Sequence, residues 1–354
     1  MKTYQFKVSI IGFLALNSNY SGGQEVKTRG VFEHCQSKYG PENVTCVDTL
    51  GWKKHPARML IQTIRTIKKS ESIIICPARR GIRIFGPLIY FLSKTKKQKI
   101  FYAVVGGWLP SLLSKKRHLL ATLSKYTQVF VETRHMQTEL NLLGMNNVSI
   151  LRNSKNVSPL PENSLQPIHF PIRVCTFSRI NSMKGIEDAI EAVNIANAKA
   201  KRDSFQLTIF GQVEPDYEDR FEKLKASFSA GISYGGLIPP LDSVKILQNY
   251  DVLLFPTHYF TEGFPGTVVD GFASGLIILA SRIPSIQELI SEGGQGYTFE
   301  MGNINEITHH LLLLLDDSKK SNEMKRNSLN SFDQFSFDKI FANLDRWMDT
   351  TSNK

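Results

Sequence analysis

Cysteine is scarce: four in 354 residues, at 35, 46, 76 and 175, with no C-x-x-C pair. That spacing excludes a disulfide framework and a thiolate zinc site, and it suits a reducing compartment with the thiols packed as small hydrophobes. Histidine is equally thin, eight residues without H-x-x-x-H spacing, and no D-x-D sequence is present to hold a divalent cation. No stretch approaches the roughly 18 uninterrupted apolar residues of a spanning helix. The opening "MKTYQFKVSIIGFLAL" has the lysines and apolar run of a signal peptide but no clear small-x-small cleavage site. A buried first strand running into the glycine loop "NSNYSGGQEV" explains both halves, and the expectation is a cytoplasmic protein. Low-complexity tracts are absent too, and no internal repeat occurs beyond a strand–helix rhythm.

Acid is what the first half lacks. Residues 1–155 hold 25 Lys and Arg against 7 Asp and Glu, whereas residues 156–354 hold 18 against 25. A basic first domain facing a polyanion or an anionic membrane accounts for that split better than a general solubilising excess. Nucleic acid is not expected, because no stacking-aromatic motif accompanies the basic half.

The chain's length suits two domains, and its patterning repeats one rhythm twice. Apolar strands "FKVSIIGFLA", "VTCVDTL", "SIIICP", "KIFYAVVGG" and "TQVFVET" alternate with helical segments such as "ARMLIQTIRTIKK", "PLIYFLSKT" and "LPSLLSKKRHLLATLSK". After a proline-rich stretch the rhythm restarts with "RVCTFSR", "FQLTIFG", "ISYGG", "DVLLFPT", "LIILAS" and "GYTFE". Strand–helix alternation predicts parallel, doubly covered sheets. The expected organisation is a first domain over 1–155, a linker over 156–170 and a second domain over 171–335. An amphipathic helix over 336–354 would pack back on the first domain.

Ligands of such sheets bind at the carboxyl ends of strands. There, "CTFSRINSMKGIEDAIEAV" sets Arg179 and Lys184 beside a helix start, a suitable diphosphate pocket. Two solvated loop cations would look the same. The stretch "HYFTEGFPGTVVDGFASG" places Glu262 in a loop and Asp270 one turn into a helix, where carboxylates could accept bonds from sugar hydroxyls. A surface acid and a helix-dipole acid are the bland alternatives. "CPARRGIRIFGPLIYFLSKTKKQK" mixes Arg79, Arg80 and Arg83 with apolar residues, as an anionic membrane surface, a lipid diphosphate or a core helix with a solvated lysine turn would require.

These segments closely resemble the donor-site signatures of family 4 retaining glycosyltransferases of the GT-B fold. "EGFPGTVVDGFASGLIILAS" resembles the E-G-F…E-A-x-A-x-G segment, and "FSRINSMKGIEDAIEAV" the G-R-x-x-x-x-K-G segment. "FGQVEPDYEDRFEKL", "ISYGGLI" and "VSILRNSKN" are similar to three further segments in the same order. The match is specific over 150–300; over 1–150 it rests on Gly22-Gly23 and "FVETRHMQTEL". Asp270 stands where the family usually has Glu, Ser178 where it has Gly and Ile277 where it has Pro. The Asp variant resembles a branch among bacterial capsular and exopolysaccharide enzymes.

The resemblance implies an α/β chain with two Rossmann-like domains facing each other across a cleft. It implies metal-independent, retaining transfer of a hexosyl group from a nucleotide-diphosphate sugar, a UDP-sugar, to a lipid-linked or polysaccharide acceptor. Arg179 and Lys184 would neutralise the diphosphate, and Glu262 would lie beside the sugar. Asp270 would hold the ribose, and the backbone near Leu237 would meet the base. Gly263, Phe264, Pro265, Gly266, Thr267 and Val268 would present amides to the sugar and phosphates. Gly22, Gly23, Gly106, Gly107 and Trp108 are expected on the acceptor side, and Arg79, Arg80 and Arg83 at the inner face of the plasma membrane. Other readings are a GT-B epimerase or phosphorylase, or a catalytically silent GT-B protein that binds sugar nucleotide or membrane in an assembly. Arg179, Lys184 and Glu262 occurring together argue against silence.

Overall fold

A computed structural model describes residues 4–16, 23–52, 54–94, 96–153, 157–201, 204–239 and 242–350. The chain divides into two compact units, residues 1–154 with 337–354, and residues 155–336.

Unit 1 is built on β1 (Phe6–Gly12), β2 (Val44–Asp48), β3 (Ser70–Cys76), β4 (Lys99–Ala103), β5 (Gln128–Val131) and β6 (Val148–Ile150). All pair in parallel in the order β2-β1-β3-β4-β5-β6. Their residues are buried almost throughout, because helices cover both faces of a parallel sheet. The helices are α1 (Gly23–Tyr39), α2 (Pro56–Lys69), α3 (Arg79–Lys94), α4 (Leu109–Lys115), α5 (Arg117–Leu123), α6 (Arg134–Leu142) and a last one described below. The segment expected as one helix over "LPSLLSKKRHLLATLSK" is two, because Lys116 leaves helical geometry at φ −132°, ψ 72°. Burial pushes the thiols up, Cys76 to about 12, so the buried cysteines behave as packing residues.

Unit 2 repeats the plan with β7 (Ile172–Phe177), β8 (Phe205–Phe210), β9 (Ile232–Gly236), β10 (Val252–Phe255), β11 (Ile277–Ser281) and β12 (Gly296–Phe299). The order is β12-β11-β10-β7-β8-β9, again parallel. Its helices include α7 (Ile186–Ala200), α8 (Glu218–Lys225), α9 (Ser243–Leu247), α10 (Gly266–Ala273), α11 (Pro284–Gln287), α12 (Ile304–Asp316) and α13 (Ser318–Ser331). The proline-rich stretch before β7 is held along this unit: Leu160 N donates to Ala273 O and Ile168 N to Asn322 Oδ1. The closing helix, α14 (Phe337–Thr350), packs in unit 1, where the His34 ring stacks on Phe341 at 4.4 Å and pairs with Asp345 at 2.8 Å.

In unit 2 the chain enters at β7 and builds outward both ways, so β7 and β10 are neighbours whose connections leave in opposite directions. That reversal opens a crevice at the carboxyl ends of the two strands. The loops lining it run from Ser178 to Gly185 and from Pro256 to Pro265.

Candidate functional site

Two glycines determine how closely these loops approach. Gly185 has φ +64°, and a Cβ there would lie 1.9 Å from Pro256 O. Gly211 has φ +142°, and its Cβ would lie 1.7 Å from Ser178 O. Only glycine fits either position, since a side chain would meet backbone at a disfavoured dihedral. A hydrogen bond from His258 N to Met183 O, 2.8 Å, then joins the β7 and β10 loops directly.

This approach buries Lys184, which is 8% exposed, against the β10 loop. Its ammonium lies 2.6 Å from Glu262 Oε2 and sits over the rings of Tyr259, at 4.9 Å, and Phe255, at 5.4 Å. Thr257 Oγ1 donates to the same carboxylate oxygen at 3.3 Å. A tight turn closed by Glu262 N and Tyr259 O holds the acid in place. Next to it, His258 Nε2 and Asp188 Oδ2 are 2.6 Å apart. The result is a concentrated pair of opposite charges, aromatic-walled, at the mouth of a parallel sheet.

The other expected donor residues are distributed around this pair. Arg179 is exposed and bridges to Glu214 at 2.9 Å, which aims its guanidinium at the β8 side of the crevice. Gly263, Phe264 and Pro265 are buried, with Phe264 packed on Phe335 at 5.3 Å. Gly266 and Thr267 begin α10 half-buried, and Thr267 Oγ1 donates to Phe177 O, pinning the helix start to the end of β7. Val268 N donates to Pro265 O, so that amide is committed to the first helical turn. Leu237 is exposed just past β9.

Asp270 is fully buried, and its Oδ1 accepts a hydrogen bond from Ser243 Oγ on α9 at 2.9 Å. Ser243 is itself buried and is a site residue the sequence did not signal. The arrangement ties the acid to α9 through a buried hydroxyl, in a position with no exposed surface. Asp270→Glu is expected to destabilise unit 2 by about 1–3 kcal/mol through overpacking. Asp270→Glu combined with Ser243→Gly is expected to recover most of that loss, read as the urea midpoint of the unit 2 transition.

In unit 1, Gly23 opens α1, and Gly22 lies outside the described residues. Gly106 has φ +84° and donates its N–H to Glu132 Oε2 at 2.9 Å, and Trp108 Nε1 donates to Val105 O. Gly107 completes this turn between β4 and α4. Lys27, one turn into α1, reaches Val104 O, Leu151 O and Glu132, so the α1 start and the Gly106 turn share one buried support. Arg79, Arg80 and Arg83 are exposed on the first turns of α3. Among the described residues no group of three or more His, Cys, Asp or Glu side chains could hold a metal ion, and no helix is long and apolar enough to cross a membrane.

Residues 166–331 match the family model of Glycosyl transferases group 1. The chain is similar to the amylovoran biosynthesis glycosyltransferase AmsK of Erwinia amylovora, 28% identical over 156 residues, 42% of this chain and 37% of that protein. It is also similar to an N,N'-diacetylbacillosaminyl-diphospho-undecaprenol alpha-1,3-N-acetylgalactosaminyltransferase of Campylobacter jejuni, 31% identical over 25% of this chain and 23% of that protein. Both matches span well under two thirds of the relatives' own lengths. Among solved structures, Anabaena HepE in complex with UDP has a TM-score of 0.75 at 13% identity, covering 99% of this chain and 100% of that one. Sucrose-phosphate synthase from Thermosynechococcus elongatus has a TM-score of 0.73 at 13% identity, covering 98% and 99%. These likenesses establish the fold: each unit is Rossmann-like, and the chain has the GT-B architecture.

Proposed function

We propose that the chain is a retaining glycosyltransferase that moves a sugar from a UDP-sugar to a lipid-linked or polysaccharide acceptor in surface polysaccharide synthesis. The observation that carries this reading is the Lys184–Glu262 pair at the β7/β10 crevice, inside the segment that matches the glycosyltransferase family model. The two curated relatives, whose names specify amylovoran synthesis and an undecaprenol-linked acceptor, support the acceptor class. UDP in the HepE complex supports the donor base.

On this reading the bond between the sugar's anomeric carbon and the diphosphate breaks with its electron pair on the leaving oxygen. Lys184, Arg179 and the free amides at the start of α10 meet the charge that develops there. Preorganised cations of this kind supply the stabilisation without a divalent ion. Glu262 lies at the sugar, where its second oxygen can accept from a hydroxyl while the first holds Lys184. The acceptor hydroxyl attacks on the face the diphosphate leaves, and its proton passes to the departing diphosphate oxygen as the new bond to the anomeric carbon forms. The work is done at the inner side of the plasma membrane by a peripheral, cytoplasmic protein.

A thermal-shift panel of nucleotide sugars tests the donor assignment, because ligand binding raises apparent stability in proportion to affinity. UDP-sugars are expected to raise the midpoint more than GDP- or ADP-sugars. Transfer or hydrolysis of the best donor should persist in chelator and fall to background in Glu262→Ala. Equal turnover by the wild type and Glu262→Ala would sink the enzyme reading.

A further inference from the structure

The loop after β10 buries little of its own tip. Thr261 is exposed, Phe260 is 64% exposed, and Tyr259 and Glu262 are half-buried. A loop with so little apolar burial keeps its place through polar ties and opens when they are lost. Two side-chain ties run to the segment that carries Lys184. One is Lys184 itself, which holds Glu262 and lies over Tyr259. The other is His258, whose Nε2 lies 2.6 Å from Asp188 Oδ2. A carboxylate oxygen can only accept, so the ring nitrogen donates. Asp188 stands in the first turn of α7, just after Lys184 and Gly185, where the helix dipole favours an acid. The ring also neighbours the turn after β12: a Cβ on Gly302, at φ +76°, would lie 3.8 Å from His258 Cε1. The backbone of the same residue bonds Met183 O, so His258 is fixed to the Lys184 segment at both its main chain and its side chain.

We infer that the His258–Asp188 pair is a latch that positions Glu262, fixing the base of the β10 loop to α7 independently of Lys184. The inference rests on the transferase reading for its purpose. A diphosphate drawn to Lys184 competes with Glu262 for one ammonium, so that tie slackens as the donor binds. The bond between His258 and Asp188 meets no such competition, because the ammonium takes no part in it. With the latch closed, Glu262 keeps its place at the sugar while Lys184 turns to the leaving group. Without it, the loop follows whichever partner Lys184 takes. A displacement of about 1 Å in a reacting group costs up to about a hundredfold in rate. His258 is therefore a positioning residue, acting on the chemistry through Glu262.

Hydrogen exchange of the full chain tests the latch without any ligand. The amides of His258, Tyr259 and Glu262 bond Met183 O, Thr257 Oγ1 and Tyr259 O, so their protection reports the loop. His258→Leu is expected to speed their exchange on the order of tenfold to a hundredfold, the effect of losing one charge-assisted bond, with the rest of unit 2 unchanged. Asp188→Ala should act alike, and His258→Leu/Asp188→Ala should exchange no faster than the faster single variant. His258→Gln, whose amide N–H reaches about as far as Nε2, should restore most of the protection. In steady-state kinetics His258→Leu should lower kcat by about tenfold to a hundredfold, and His258→Gln should recover most of it. UDP, which lacks the sugar that Glu262 faces, should bind His258→Leu as it binds the wild type. Unchanged protection in His258→Leu overturns the inference, as does faster exchange spread evenly through unit 2 or a His258→Gln loop as open as that of His258→Leu. Lost protection with wild-type kcat overturns it too, leaving a tie that positions nothing. A wild type that transfers from no nucleotide sugar sinks the transferase reading alone, and the exchange pattern still decides the latch.

Discussion

Lys184→Met is expected to lower kcat/KM for sugar transfer by about 10²–10³ while leaving the unfolding midpoint of unit 2 near the wild-type value. The magnitude is that of removing one preorganised donor from the site where transition-state charge collects. Methionine keeps the length and the apolar stem that lies along Phe255 and Tyr259, so packing is retained and only the ammonium is lost. Glu262 tolerates the loss because it is partly exposed and keeps the Thr257 hydroxyl. Lys184→Arg is not expected to rescue, since a planar guanidinium needs room that an 8% exposed position beside two rings does not offer. Glu262→Gln should lower turnover as well, and the double variant should fall less than the product of the singles, because the groups touch at 2.6 Å. Steady-state kinetics on the four proteins decide it. A Lys184→Met enzyme within about threefold of wild type, against the decades expected, would remove this lysine from the leaving-group chemistry.

The β-strand rhythm was legible because strands buried on both faces are continuous apolar runs, as in "SIIIC" and "VLLF". Helix α13 was not, since "SKKSNEMKRNSLNS" has two large apolar residues and buries Ser321, Lys325 and Ser328 beside them. What makes it pack is the ion pair of Lys325 with the buried Asp251, a partner 74 residues away that no local pattern discloses. Strand β6 was missed for a related reason: three residues at the sheet edge read as the start of the proline-rich stretch.

At the site, the motif spacing exposed Lys184, Glu262 and Asp270 as candidates, and their partners stayed dark. Asp188 lies 70 residues from His258, and Ser243 lies 27 from Asp270. Nor does spacing show that Arg179 is committed to Glu214 while Lys184 is committed to Glu262. That division follows from Gly185 and Gly211, which let the two ends of the one loop after β7 close on β10 and on β8. The glycines are visible in the sequence; the backbone they must accommodate is not.

Unit 1 holds the larger stability effect. Lys27 is 3% and Glu132 1% exposed at the side chain, and all three ammonium protons are used, on Val104 O, Leu151 O and Glu132 Oε1. Lys27→Met removes the cation of a buried ion pair and the donor to two buried carbonyls, a change that typically costs about 3–5 kcal/mol. For a unit of this size that is a fall of roughly 6–20 °C in its melting temperature. Because the two units have separate cores, the loss should appear in the unit 1 transition and spare the other. Lys27→Met/Glu132→Leu removes both charges and should be far less damaged than the single variant. It also deprives Gly106 N of its acceptor, so a double variant that folds but has a raised KM for acceptor alone would tie this pair to the Gly106–Trp108 turn. A loss under about 1 kcal/mol in Lys27→Met, well below the buried-pair range, would mean that the carbonyls and Glu132 find other partners and that the pair is not what holds these strand ends.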